Sequence, residues 1–178
     1  NKGGVLRSVE WCKDKEDFFK KDTPTLRWRL VSKGGIPDSG NKNYLLQTDL
    51  LANYITNVVF KGQHLPAETL VALSEFQGQR GDIAKLLGGT TWNQAGEKLE
   101  ALKLNQLHRI PPMENAYLDL AYFQNTGERL MQNTVNWTNK RTSNGDFVSL
   151  GLFDGDGVRV SSWFPNYQSP GIRARFAR

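Results

Sequence analysis

The sequence predicts an α+β fold, with helices first and then a small antiparallel sheet with long loops. Three observations carry that expectation. From Tyr44 to Gly127 apolar residues recur at helical spacing. After Leu130 the spacing is lost, and Gly, Ser, Asn and aromatic residues take over. Two short alternating stretches, residues 147–153 and 158–163, then flank Gly155-Asp156-Gly157. Asp-Gly supplies the positive φ of a tight turn cheaply, so the pair reads as a β-hairpin. A length of 178 residues suits one domain spanning 1–178, with residues 1–60 as a less regular N-terminal extension.

The elements follow in order. Trp11, Phe18 and Phe19 sit among charges and suggest a short amphipathic helix. Residues 26–31 alternate apolar and basic side chains, the period of a half-buried strand with Arg27 and Arg29 facing out. Residues 33–41 are a loop by composition. Residues 44–59 form a helix through Leu46, Leu50, Leu51 and Tyr54, and Val58-Val59-Phe60 fits a helix end or a strand. Pro66 opens a second helix whose Leu70, Leu73 and Phe76 line one side before Gly78. Asp82 caps a short helix that Gly88-Gly89 stops. Thr91 and Gln94 read as a capping box ahead of a stripe of Trp92, Ala95, Gly96, Leu99 and Leu102. Pro111-Pro112 opens the next helix, where Met113, Ala116, Tyr117, Leu120 and Ala121 share a face that ends near Gly127. Residues 172–176 alternate again and close the sheet.

Composition narrows the function classes. With 38% hydrophobic and 23% charged residues the chain reads as globular rather than disordered. A net charge of +5 and a pI near 9.4 favour an acidic partner. No run of five or six basic residues accompanies them, so nucleic acid is not indicated. Lys13, Lys15, Lys20 and Lys21 are interleaved with Asp14, Glu16 and Asp17, the pattern of a solvated helix face. Cys12 is the single cysteine and is expected to be partly buried; it allows neither an internal disulfide nor a cysteine zinc site. No apolar run approaches the eighteen or so residues of a membrane-spanning helix.

Signatures of catalysis or metal binding are sparse in the chain. His64 and His108 have no nearby second ligand, and there is no HExxH, GxSxG or phosphate-loop pattern. Asp154-Gly155-Asp156-Gly157 resembles the start of a calcium loop, but Val158 and Pro165 stand where further oxygen ligands are needed, so a turn is expected. Arg80-Gly81-Asp82 falls between two helical segments, with Asp82 placed as a cap. Asn136-Trp137-Thr138 fits a glycosylation sequon. No catalytic residue, metal ligand or cofactor is assigned. The tail from Asn136 onward combines Trp and Tyr, which give large contact area at low entropy cost, with Ser, Gly and Asn, which bond adaptably. Composition alone leaves a recognition surface and an ordinary polar-looped sheet equally placed.

A resemblance separates them. The segment from His108 through Arg109-Ile110-Pro111 to Glu114 resembles the Arg–Ile–Pro…Glu segment that opens a helix in C-type-lectin-like domains of the formylglycine-generating-enzyme type. Trp137-Thr138, a Gly-rich hairpin over residues 146–160 and Gly171-Ile172-Arg173 follow in that family's order, over residues 107–178. The late cysteine pair of the formylglycine-generating enzymes is absent, so their activity is not implied. The disulfides and the Glu-Pro-Asn calcium tripeptide of ordinary C-type lectins are absent too. The non-catalytic variable proteins of diversity-generating retroelements fit best. That resemblance implies a C-type-lectin-like fold whose residues 135–178 form a variable ligand-binding region. It implies contacts through Asp154, Asp156, Arg159, Ser161, Ser162, Trp163, Phe164, Asn166, Tyr167 and Gln168. Trp163 and Tyr167 would anchor the ligand, with Arg159 and Asp156 setting polarity. Trp137, Val148, Gly151, Gly171 and Arg173 would be framework. The implied partner is a protein or surface ligand, with no membrane insertion. An enzyme on the same fold and a fixed-specificity phage or surface adhesin are the alternatives.

Overall fold

The structure, a computed structural model, describes residues 5–25 and 27–178. In chain order the elements are β1 (Leu6–Arg7), α1 (Asp17–Lys20), α2 (Tyr44–Tyr54) running into a π-helical turn (Ile55–Val59), α3 (Ala67–Leu87), α4 (Trp92–Ala101), α5 (Lys103–His108), α6 (Pro112–Thr126), β2 (Val135–Arg141), β3 (Phe147–Asp154), β4 (Gly157–Trp163) and β5 (Ile172–Arg173). The α+β class therefore stands.

The sheet runs β1-β4-β3-β2-β5. Its middle is the expected antiparallel meander, with Leu150 opposite Val160 and Trp137 opposite Ser149. Both edges correct the antiparallel expectation: β1 pairs with β4 and β5 with β2 in parallel, so the sheet is mixed. A tight turn forces antiparallel pairing, but β1 and β5 reach their partners over long connections that permit either direction.

Successive strand residues point to opposite faces, and along β2 and β3 both faces are covered. Trp137 and Phe147 join Tyr44, Leu51, Ile55, Phe76, Leu99 and Phe176 on one side. Val148, Leu150, Val158 and Val160 join Cys12, Phe18 and Ala116 on the other. Cys12 is fully buried rather than partly so, and burial raises its thiol pKa to about 11. Asn136 is also fully buried in β2, which closes the sequon in the folded chain.

The helices depart from expectation in instructive ways. Asn43 caps α2 by accepting the Leu46 N–H at 2.9 Å, and residues 58–60 end that helix rather than forming a strand. The two helices expected on either side of Gly78 are one, α3, with Gly78, Gly81 and Asp82 inside it. Each glycine costs about 1 kcal/mol in a helix interior. Burial of Phe76, Ile83 and Leu87 along one stripe outweighs that cost. Asp82 is therefore no cap, and Leu70 is exposed. Thr91 caps nothing; its hydroxyl donates to the Leu86 carbonyl instead. The helix α5 had no sequence signal. The helix α6 starts and stops where expected, Gly127 ending it at φ +73°.

Its inward face is only partly the apolar one that the spacing suggested: Ala116 and Leu120 do pack on the second core, but polar residues share the buried side. Glu114, Asn115 and Asp119 are buried, while Tyr117 is 57% exposed. The cause is a set of arginines that arrive from distant segments. Arg175 Nη1 meets Asp119 Oδ1 at 2.6 Å and Asn115 Oδ1 at 3.2 Å. Arg29 Nε meets Glu114 Oε1 at 2.6 Å. The strand expected at residues 26–31 is corrected accordingly, Leu26 lying outside the described residues. Among the described residues of that stretch only Val31 makes a bridge, to Ala177; Arg27 is half exposed as expected, but Arg29 turns in and Trp28 and Leu30 turn out. The closing strand is also shorter than residues 172–176, because Arg175 turns into the interior to reach Asp119. Among the described residues no helix is long and apolar enough to cross a membrane.

Candidate ligand-binding surface

The hairpin sorts the predicted contact residues by strand parity. Val158 and Val160 point into the second core. Arg159, Ser161 and Trp163 take the other face and line an open cleft of about 130 Å³ with Leu152, Tyr167 and Ser169. Ser161 is held by its neighbour across the ladder, its hydroxyl 2.9 Å from that of Ser149.

A bulge shapes the cleft floor. The β3–β4 register shifts between Gly151 and Asp154. Gly151 has φ +149°, and a Cβ there would run into the Thr134 carbonyl, so only glycine fits. Leu152 follows at φ +44°, in the left-handed region that a leucine rarely occupies. Its N–H bonds the Thr134 carbonyl at 2.9 Å, and its side chain lines the cleft. Bulges re-aim side chains in this way.

The cleft wall is aromatic. Trp163 and Tyr167 stack with centroids 4.3 Å apart and planes 9° apart. Phe164 meets Tyr167 edge-on at 5.6 Å and lies 6.4 Å from Trp92. The loop that carries them is tied down: Pro165 O accepts the Tyr44 N–H, and Ser169 O the Asn41 N–H, each at 2.9 Å. Trp163 and Tyr167 are half-buried and pack on the first core, whereas Phe164 and Gln168 are exposed.

Arg159, Ser161, Trp163 and Tyr167 thus come together, with Phe164 beside them. Others do not join. Ser162 points to the opposite face, its hydroxyl 3.5 Å from Asp146 Oδ2, where burial pushes the Asp146 carboxyl pKa up. Asn166 donates to the Leu87 carbonyl at the end of α3, a positioning bond. Asp154 and Asp156 sit at the hairpin tip, about 20 Å along β4 from Trp163. There Asp154 pairs with Arg7 at 2.6 Å and accepts the Asp156 N–H at 2.9 Å, forming the turn. Of the framework residues, Trp137, Val148 and Gly151 are buried and Gly171 and Arg173 half-buried.

Further residues belong to the surface that the sequence did not assign to it: Asn133, Leu152, Ser169 and, beside Phe164, Trp92. Glycine interrupting the apolar run before Leu152 was an available bulge signal; nothing marked Trp92, which arrives from a helix. Among the described residues no three His, Cys, Asp or Glu side chains cluster as a metal site would need. His108 is buried between the Thr69 hydroxyl and the Ala177 carbonyl, and burial lowers its pKa. Compared with known proteins, the chain matches no family model, no curated protein and no solved structure.

Proposed function

We propose that this chain is a ligand-binding protein that displays a diversifiable C-terminal surface on a C-type-lectin-like scaffold, as the variable proteins of diversity-generating retroelements do. The reading rests on one observation above the others. One face of β4 is closed into a core, while the other turns exposed Arg159 and half-exposed Ser161 and Trp163 toward an open cleft, where Tyr167 from the following loop stacks on Trp163. Side chains can change on such an open face without disturbing the closed one. The ligand is a protein or surface epitope, gripped by the aromatic pair and oriented by Arg159.

Two measurements test this. The DNA beside the gene should hold a near-copy of the coding 3′ end, differing at adenines, next to a reverse transcriptase; a neighbourhood with neither would sink the retroelement reading and leave a fixed-specificity adhesin. A library randomised at Arg159, Ser161, Phe164 and Gln168 should keep the parental melting temperature in most members and yield binders to unrelated proteins. General unfolding of that library would remove the display reading itself.

A further inference from the structure

A second surface, sharing no residue with the cleft, is built where the segment before α2 crosses the start of α6. Two hollows lie there, of about 420 and about 580 Å³. Thr25, Arg27, Arg29 and Glu114 line both, so the two form one continuous groove. Its ends differ in chemistry.

The first end is cationic. Lys21, Arg27, Arg29 and Lys140 line it against Asp22 and Glu114. Lys21 is matched by Asp17 at 2.9 Å, which leaves a net positive charge in the groove. Glu114, almost fully buried, is held by Arg29 at 2.6 Å, so Arg27, at 3.4 Å and half exposed, is the weaker partner and the freer cation. Asn139 lines the same hollow at 3% exposure. The second end is aromatic. Trp28 is 102% exposed, and Tyr117 stands in the same hollow.

We propose that this groove docks an extended acidic segment of a partner protein. Carboxylates of that segment meet Arg27 and Lys140, and a bulky apolar side chain covers Trp28. Each observation selects against something else. A fully solvated indole beside an arginine is the composition of an interface centre, because Trp and Arg dominate binding energy where water is excluded. Net positive lining selects acidic partners and rejects basic ones. The succession of a cationic end and an aromatic end matches a chain that sets a carboxylate and an apolar side chain a few residues apart, as an extended peptide does.

The test pans a displayed library of random peptides, about twelve residues long, on the full chain, and then measures the enriched consensus as a labelled synthetic peptide. Asp or Glu next to Phe, Trp or Leu should be enriched, and binding should weaken at high salt. Trp28→Ala and Lys140→Glu should each lower affinity by roughly tenfold or more. The Trp28→Ala melting temperature should be unchanged, since the indole supports nothing. Enrichment of basic or neutral peptides overturns the proposal. So does wild-type affinity in both variants, loss of binding in Trp163→Ala instead, or displacement of the peptide by an oligothymidylate.

Discussion

The two faces of β4 differ by one residue in register and by everything in environment. Val158 and Val160 are buried against Cys12, Phe18 and Ala116. Arg159, between them, is exposed. The strand thus joins an intolerant surface to a permissive one across a single backbone. Strand parity separates them and a slip of one residue would exchange them, so the register must be pinned. It is pinned by the ladder to β3, by the Gly151 bulge against Thr134 and by parallel pairing to β1.

The sharpest test of that contrast is Val160→Asp, which places an unpaired charge in the second core. It should cost about 4 kcal/mol or more and leave the chain largely unfolded by circular dichroism. A folded Val160→Asp protein would mean the second core is not closed. Next in size is Arg175→Ala, expected to cost about 3–5 kcal/mol in urea titration because it strands a buried Asp119 carboxylate. Arg7→Ala at the hairpin tip removes an ion pair of equal length but greater exposure, and should cost about 1 kcal/mol or less. Equal losses from the two would contradict the burial difference between them.

These arginines also explain what could be read in the sequence and what could not. The hairpin was legible because alternation and an Asp-Gly turn are local signals. The bounds of α6 were legible because Pro112 and Gly127 punctuate the chain. Its buried face was not, since Glu114 and Asp119 face inward only through Arg29 and Arg175, 85 and 56 residues away. Likewise, nothing local says that Arg29 turns inward while Trp28 turns out. Within the candidate surface, parity grouped Arg159, Ser161 and Trp163 correctly. It could not show that Asn166 bonds back to α3, or that Asp154 is engaged by Arg7 at the far end of the strand.

Between the two extremes lies the aromatic wall. Trp163→Ala removes a half-buried ring, its stack on Tyr167 and its packing on the first core, and should cost about 1–2 kcal/mol. A loss as large as that of a fully buried aromatic, about 3–5 kcal/mol, would make the ring core rather than contact. The buried His108 should give a smaller effect that depends on pH. Its folded pKa lies below the unfolded value because burial disfavours the imidazolium, so the unfolded chain binds more protons as pH falls through about 6.5. Stability should therefore be complete above that pH and decline below it. In His108→Gln the decline between pH 7.5 and 5.5 should shrink, as read from urea midpoints.

The smallest effect expected on stability is the one on which the proposed function depends most. Arg159→Asp reverses a charge one residue from Val160, on a strand whose other face is closed. Because Arg159 projects into solvent, folding free energy should move by no more than about 0.5 kcal/mol. The same reversal should alter which ligands bind, since a planar guanidinium that donates in pairs becomes an acceptor. Val160→Asp and Arg159→Asp introduce the same side chain at adjacent positions on opposite faces, and the larger charge change, two units against one, falls on Arg159→Asp, the variant expected to be the milder. If both are destabilising to a similar degree, the open face is not independent of the core, and variation there could not be tolerated. If only Val160→Asp unfolds the chain while Arg159→Asp melts with the parent and changes ligand selection, the division of labour across one strand is established.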